Sequence, residues 1–202
     1  MSRLDLVVGP NGAGKSTFIR FGLAEAAPGA AFVNADEIAA QRWPEDPMPH
    51  AHEAARLAQQ TRERLIDLHR PFIAETVFSH PSKLDLMRRA KDAGYHIALH
   101  ILLVPEQLSV ARVGYRVASG GHDVPIDKIR GRFVRLWANV VAGIALADTS
   151  DVWDNSGRGP DMVAYFSDGM IVGKPRWPAW TPAELTTRWP LTDPPALRAA
   201  PA

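Results

Sequence analysis

The residues with the most specific chemistry form a glycine-rich segment near the N-terminus. The segment matches the pattern GxxxxGK[ST] in full and comprises Gly9, Pro10, Asn11, Gly12, Ala13, Gly14, Lys15, Ser16 and the following Thr17. In such a loop, backbone N–H groups and a helix N-terminus surround the phosphates of a nucleotide. The lysine contacts the β- and γ-phosphates, and the serine hydroxyl ligates Mg²⁺. A chance glycine-rich turn is the alternative, but the motif lies between an apolar segment and a helical pattern, as a phosphate loop requires.

Two acidic residues follow other short apolar segments, and the carboxyl ends of parallel strands share one edge of a sheet. Asp36 closes the segment Asn34-Ala35-Asp36, and Glu75 is followed by Thr76. Asp36 is predicted to accept the proton of an attacking hydroxyl or to help hold Mg²⁺, with a helix N-cap as the alternative. Glu75 and Thr76 are predicted to contact substrate. Glu75 would orient it or bind the metal through water, and capping of the next turn is the alternative.

A basic segment between residues 112 and 135 carries six cationic side chains against two carboxylates, a local charge of +4: Arg112, Arg116, Lys128, Arg130, Arg132 and Arg135. Arg112 and Arg116 are one helical turn apart and share a face. With Ser119-Gly120-Gly121 as its turn, a helical lid over about 105–135 would bring arginines to the transferred phosphoryl group. A solvated helix face is the alternative, and the spacing does not decide which arginines reach the phosphates.

The pattern of apolar segments predicts the elements that position these residues. Strands are predicted at residues 4–8, 31–33, 72–74, 96–104 and 151–153, alternating with helices at 15–27, 48–68, 82–93, 105–117 and 125–147. A β-hairpin is predicted at 162–166 and 170–172. We therefore predict a three-layer α/β fold of the P-loop NTPase type, with a mostly parallel sheet, a helical lid and a C-terminal β-hairpin. Residues 154–157 lie where a nucleotide base could pass, although a simple turn explains them equally well.

We predict a single P-loop domain over residues 1–174 and a Pro/Trp-rich tail over 175–202. The tail contains seven of the 17 prolines and three of the six tryptophans. Prolines at that density oppose regular structure, with the exception of one helical turn at 182–187. The tryptophans predict that the tail packs on the body of the protein or on a partner.

The composition excludes several classes of protein. The formal charge of the 202 residues is +1, which argues against binding nucleic acid through bulk positive charge. The chain has no cysteine, so disulfides, thiolate metal sites and cysteine nucleophiles are excluded. It has no secretion signal and no apolar run of about 20 residues, so we expect a cytoplasmic protein without a membrane span.

Taken together, GPNGAGKST, NAD, ET and RVASGGHDVP leading into IRGRF resemble the zeta-toxin family of P-loop kinases, in the same order along residues 4–156. The resemblance implies the fold of small-molecule kinases, ATP and Mg²⁺ as cofactors, and phosphorylation of a UDP-activated N-acetyl amino sugar such as UDP-N-acetylglucosamine. It also implies an antitoxin protein as a partner. Val77 stands where the family has a threonine two positions after the glutamate, so another hydroxyl compound is the alternative acceptor.

The resemblance also assigns roles to particular residues. Lys15 and Ser16 look like the phosphate and magnesium contacts, and Asp36 looks like the base that activates the sugar hydroxyl. Glu75 looks like a substrate-site carboxylate. Arg112 and Arg116 look like the lid arginines that clamp the γ-phosphate.

Two functions from different classes follow from these observations. The first is a kinase that transfers the γ-phosphoryl group of ATP to a hydroxyl of a sugar or sugar-nucleotide. The second is an ATP-binding module without transfer activity, whose Pro/Trp-rich tail contacts a partner protein. Acceptor-dependent release of ADP distinguishes the two.

Overall fold

The computed structural model describes residues 2–118 and 124–191. The strands in these residues form one sheet. Seven strands lie in the order β2-β3-β1-β4-β5-β6-β7. They are β1 (Arg3–Val8), β2 (Ala31–Val33), β3 (Phe72–Thr76), β4 (His96–Leu103), β5 (Thr149–Asp154), β6 (Asp161–Ser167) and β7 (Met170–Ile171). The first five are parallel, whereas β6 and β7 are antiparallel. The predicted α/β fold with a mostly parallel sheet and a C-terminal hairpin is confirmed.

The helices up to α7 lie in the crossovers between the parallel strands, and α8 follows the last strand. They are α1 (Lys15–Phe18), α2 (Ala24–Ala26), α3 (Ala35–Arg42), α4 (Ala51–Asp67), α5 (Ser82–Asp92), α6 (Glu106–Ala118), α7 (Ile126–Leu146) and α8 (Ala183–Arg188). A π-helical segment, Ile19–Leu23, joins α1 to α2 where one continuous helix was predicted, and a 3₁₀ turn, Met48–His50, precedes α4. The predicted lid turn Ser119-Gly120-Gly121 lies outside the described residues. No helix in the described ranges is both long and apolar enough to cross a membrane.

Alternation along the strands separates two apolar cores, one on each face of the sheet. On β1, Leu4 and Leu6 face the larger core, to which α4, α5, α7 and α8 contribute. Val7 points to the opposite face, where it meets Ile19 and Leu23 of the segment that follows the glycine-rich loop. The sheet is thus covered on both faces, which confirms the three-layer arrangement.

The described part of the tail packs on the body of the protein. The Arg176 N–H donates to the carbonyl of Val163 on β6. Trp177 is buried, and its indole N–H donates to the Trp189 carbonyl at 2.7 Å. Trp189 in turn packs edge-on against Phe166, with ring centroids 4.7 Å apart. The division at residue 174 remains a prediction, and residues 192–202 lie outside the described part.

Candidate active site

The glycine-rich loop connects β1 directly to α1 and contains two residues in the left-handed region. Gly12 has φ 70° and Gly14 has φ 84°, backbone conformations that favour glycine. Gly14 is the N-cap of α1, so the loop ends at a helix N-terminus whose N–H groups point outward. From the far side, the buried Ser109 hydroxyl of α6 donates to the Asn11 carbonyl at 2.6 Å.

Two side chains from distant segments hold the loop backbone in place. The Asn155 amide, just after β5, donates to the Ala13 carbonyl at 2.7 Å. Arg112 donates to the carbonyls of Asn155 at 3.0 Å and Gly12 at 3.4 Å. Arg112 therefore lies against the loop backbone, and Asn155, which was predicted to lie near a nucleotide base or in a simple turn, fixes the loop from the other side.

Lys15 is folded back onto its own loop. Its ammonium group donates to the carbonyls of Gly9 at 3.1 Å and Pro10 at 3.0 Å and lies 3.9 Å from Glu75 Oε1. Burial lowers the pKa of Lys15; the Glu75 carboxylate opposes this effect, and the Arg116 guanidinium adds to it. A phosphate at the loop would offer this buried cation stronger partners than two carbonyls.

Glu75 is the centre of the polar contacts at the carboxyl ends of the strands. Its Oε2 accepts hydrogen bonds from the Ser16 hydroxyl at 2.8 Å and from the Asn34 amide at 3.0 Å. A hydroxyl and a carboxylate side by side are hard oxygen ligands of the kind Mg²⁺ prefers when phosphates and water complete its coordination. Asn34 was not predicted to take part, although it stands in the same short motif as Asp36.

Asp36 is an exposed residue in the first turn of α3, and the interpretation of Asp36 as a helix N-cap is wrong. The N-cap is Asn34, whose side-chain oxygen accepts from the N–H groups of Asp36 at 2.7 Å and Glu37 at 3.4 Å. Because Asn34 caps the helix, the Asp36 carboxylate has no capping role. Asp36 lines the cleft beside the phosphate loop.

One cleft of about 600 Å³ brings most of the predicted site residues together. Its lining includes six residues of the glycine-rich loop and α1, with Asp36, Glu75, Thr76, Val77, Arg116 and Arg132. Arg130 instead lies 3.6 Å from Glu106, and Arg135 lines a separate hollow with Lys128. Of the described lid cations, Arg116 and Arg132 are thus the ones that line this cleft.

The loop after β3 is held in a strained conformation next to the cleft. Phe78 is fully buried and has φ 66°, which is costly for a bulky side chain. Its N–H donates to the Thr76 hydroxyl oxygen at 3.2 Å, and its carbonyl accepts from the Asn139 amide at 2.9 Å. Val77 is thereby presented to the cleft between two fixed neighbours.

The comparisons with known proteins agree with this geometry. A family model described as an AAA domain matches residues 4–134, which include β1, the phosphate loop, Asp36, Glu75 and Arg132. The chain belongs to this AAA domain family. An uncharacterized protein of Haemophilus influenzae is 30% identical over 126 residues, 62% of this chain and 88% of that protein.

Several solved structures resemble this chain in fold. A chain of the AvrRxo1-ORF1:-ORF2 complex with ATP has a TM-score of 0.68 at 17% identity; the match covers 94% of our chain and 63% of that one. A chain of the PezAT chromosomal toxin-antitoxin system of Streptococcus pneumoniae has a TM-score of 0.61 at 16% identity, covering 82% and 72%. These neighbours confirm the zeta-toxin-like P-loop kinase fold that the motifs predicted.

A second cavity of about 460 Å³ lies on the other side of α1 in the AAA domain protein. Its walls are largely apolar and aromatic, with Phe18, Phe21, Trp153 and Pro160 among the lining residues. Gly14 and Thr17 line both cavities, so the polar cleft and the aromatic cavity meet at the phosphate loop.

A buried charge network forms one side of the aromatic cavity. The His100 ring on β4 bonds Asp151 through Nδ1 at 2.8 and 3.0 Å and Asp5 through Nε2 at 2.9 Å. Arg3 forms a second ion pair with Asp5 at 2.7 Å. Burial alone would lower the pKa of His100, but its bonds to Asp151 and Asp5 raise it to about 9.

The ion pairs of His100 were not predicted from the sequence, because residues 96–104 were interpreted as a nearly all-apolar strand. A signal was present, since Asp5 and His100 each interrupt a buried strand. Buried charges require partners, so two of them in predicted buried strands suggest that the strands are neighbours and that the charges pair. Their register on β1 and β4 brings them to the same face of the sheet.

Proposed function

We propose that this protein is an ATP-dependent kinase that transfers the γ-phosphoryl group to a hydroxyl of a sugar or sugar-nucleotide. The observation that carries the proposal is the arrangement around Glu75. This carboxylate accepts from Ser16 and Asn34 and lies 3.9 Å from the Lys15 ammonium group, in the cleft that Asp36 also lines. A phosphate loop, a metal-binding pair and a free carboxylate in one cleft are the parts that phosphoryl transfer requires.

The phosphates of ATP would lie on the loop, with Lys15 turning from the Gly9 and Pro10 carbonyls to the β- and γ-phosphates. Ser16 and Glu75 would hold Mg²⁺, which neutralises negative charge on the phosphates when bound. Arg116 supplies positive charge from the lid side of the cleft. The ATP complex of AvrRxo1 supports the choice of nucleotide.

Asp36 would act as the base in the transfer step. The acceptor hydroxyl oxygen attacks the γ-phosphorus, its proton passes to the Asp36 carboxylate, and the bond to the β-phosphate oxygen breaks to release ADP. Arg116 and Arg132 would stabilise the charge that spreads over the transferred group. Thr76 and Val77 would contact the acceptor beside Asp36.

UDP-N-acetylglucosamine is the first acceptor to test, on the basis of the resemblance to the zeta-toxin family. An antitoxin protein is a proposed partner, and the PezAT match to a toxin-antitoxin system supports it. The alternative of a binding module without transfer relied on the tail as a partner contact. That argument is weaker because Trp177 and Trp189 are engaged with the chain itself.

The test is product formation with the whole protein. It would be incubated with ATP, Mg²⁺ and a panel of hydroxyl acceptors that includes UDP-N-acetylglucosamine, and phosphorylated products would be identified by mass spectrometry. We expect one acceptor to gain a phosphoryl group with the native protein and none with Lys15→Met, which lacks the phosphate contact. Tight ATP binding with no product from any acceptor would favour the binding module instead.

Gly14→Ala is expected to weaken ATP binding at least about tenfold, because a Cβ at this position meets Asn155 Nδ2 at 2.6 Å and φ is 84°. Titration calorimetry with ATP and Mg²⁺ measures the change. Gly29→Ala is the matched control, since Gly29 has nearly the same φ, 85°, but nothing lies within 4 Å of a Cβ added there, and Gly29 lines neither cavity. Equal affinity in Gly14→Ala and the native protein would contradict the requirement for glycine.

A further inference from the structure

The aromatic cavity is placed to receive the base of a nucleotide whose phosphates occupy the loop. It shares Gly14 and Thr17 with the polar cleft, so one ligand can extend from one cavity into the other. Phe18 and Trp153 stand with ring centroids 5.6 Å apart, and Phe21 is 74% exposed at the same cavity. Flat apolar walls of this kind favour stacking with a ring system.

The polar part of this cavity is dominated by one carboxylate. The Asp151 side chain is 20% exposed, whereas those of Asp5 and His100 are 2% and 8% exposed. Because both ring nitrogens of His100 are occupied by carboxylates, the histidine has no donor left for a ligand. Asp151 is therefore the member of the network that a ligand can reach.

The His100 ring fixes the orientation of the Asp151 side chain. His100 Nδ1 lies within 3.0 Å of both of its oxygens, and the raised pKa of His100 keeps the ring protonated at neutral pH. The Asp151 carboxylate faces this cation, and a carboxylate accepts hydrogen bonds but donates none. The remaining lone pairs require an N–H or O–H donor from a ligand or from water.

Trp153, two residues after Asp151 on β5, carries a hydrogen-bond donor instead of an acceptor. Its indole Nε1 is buried and has no hydrogen-bond partner within residues 2–118 and 124–191. Both residues line the same cavity, where Asp151 contributes a carboxylate acceptor and Trp153 an indole ring. A base edge on which an amino group stands next to a ring nitrogen offers a donor and an acceptor in turn, as adenine does.

We propose that Asp151, positioned by His100, binds the amino group of the adenine base and so makes this protein selective for amino-substituted purine nucleotides. The inference rests on the proposed function, because it takes the phosphate loop as the site of the triphosphate. It assigns a specificity-determining role to residues beyond the family match, which ends at residue 134.

The test compares two nucleotides that differ only in the amino group. Titration calorimetry would measure the affinity of the native protein for ATP and for purine riboside 5′-triphosphate, each with Mg²⁺. We expect ATP to bind at least about tenfold more tightly, since the hydrogen bond from the amino group to the Asp151 carboxylate is lost with the analogue. Asp151→Asn is expected to abolish this preference, because the asparagine oxygen faces His100 and its amide presents donors to the base.

Asp161→Asn removes an exposed carboxylate on the neighbouring strand and is expected to keep the preference for ATP. If Asp151 only stabilised the fold, its substitution would weaken the binding of both nucleotides equally and leave the ratio of the two affinities unchanged. Equal affinity of the native protein for both nucleotides would overturn the inference and leave the proposed function standing. Absence of binding by either nucleotide would overturn both.

Discussion

Asp36→Asn is expected to bind ATP normally and to transfer the phosphoryl group about 10²–10⁴-fold more slowly than the native protein. The carboxylate lines the cleft and is exposed, so the exchange of oxygen for an amide removes the proton acceptor with little cost to packing. The helix start is unaffected, because Asn34 makes the capping bonds. Acceptor-dependent release of ADP measures transfer, and titration calorimetry measures ATP binding.

Glu37→Gln is the matched control, since it changes the adjacent carboxylate in the same first turn of α3. Glu37 is not among the residues that line the cleft, and we expect this variant to retain native transfer. Native turnover in Asp36→Asn would remove Asp36 as the base. A parallel loss of ATP binding would instead indicate that Asp36 holds the metal and its nucleotide.

His100→Leu is expected to lower the free energy of unfolding by about 3–5 kcal/mol at neutral pH. The leucine would leave Asp5, whose side chain is only 2% exposed, with Arg3 alone and Asp151 without its partner. Uncompensated buried carboxylates are far more costly than the loss of a well-solvated charge. Urea unfolding followed by circular dichroism measures the difference.

The same network makes stability depend on pH in a defined direction. The pKa of His100 is about 9 in the folded protein against 6.5 ordinarily, so the protonated ring stabilises the fold fully below pH 6.5. That contribution is lost as the pH rises through 9. The stability difference between the native protein and His100→Leu is therefore expected to shrink between about pH 6 and about pH 9.5.

His96→Leu serves as the control, because His96 lies on the same strand but is partly exposed, and its hydrogen-bond contact with Thr149 is long, at 3.5 Å. It is expected to change stability by less than about 1 kcal/mol and to leave the pH dependence intact. A His100→Leu protein as stable as the native one, or a pH-independent difference between them, would contradict the role assigned to the ion pairs.

The sequence was most informative where a local pattern has one physical meaning. The phosphate loop could be predicted because its glycines, lysine and serine act together over eight adjacent residues. The parallel strands could be predicted because β1 and β4 are buried on both faces and form apolar runs. The helix α3 was not among the predicted helices, because its sequence shows little apolar periodicity. It was implied only by the alternative interpretation of Asp36 as a helix N-cap.

The parts that escaped prediction depend on contacts between distant residues. Asn155 bonds a carbonyl 142 positions earlier, and Asn139 bonds the carbonyl of Phe78 61 positions earlier. Neither asparagine differs in its local surroundings from one that faces solvent. The positive φ of Phe78 is likewise imposed by tertiary packing, since nothing in the local sequence favours it.

The supports of the phosphate loop have a consequence for the newly made chain. The loop is complete as a motif by residue 16, yet its partners Ser109 and Asn155 come 98 and 142 positions after the carbonyls they bind. A chain emerging from the ribosome therefore carries the whole motif long before it can hold the motif in shape. Nucleotide binding is in this sense a property of the finished domain, and a fragment that ends before Asn155 contains the loop without the hydrogen bond that Asn155 supplies.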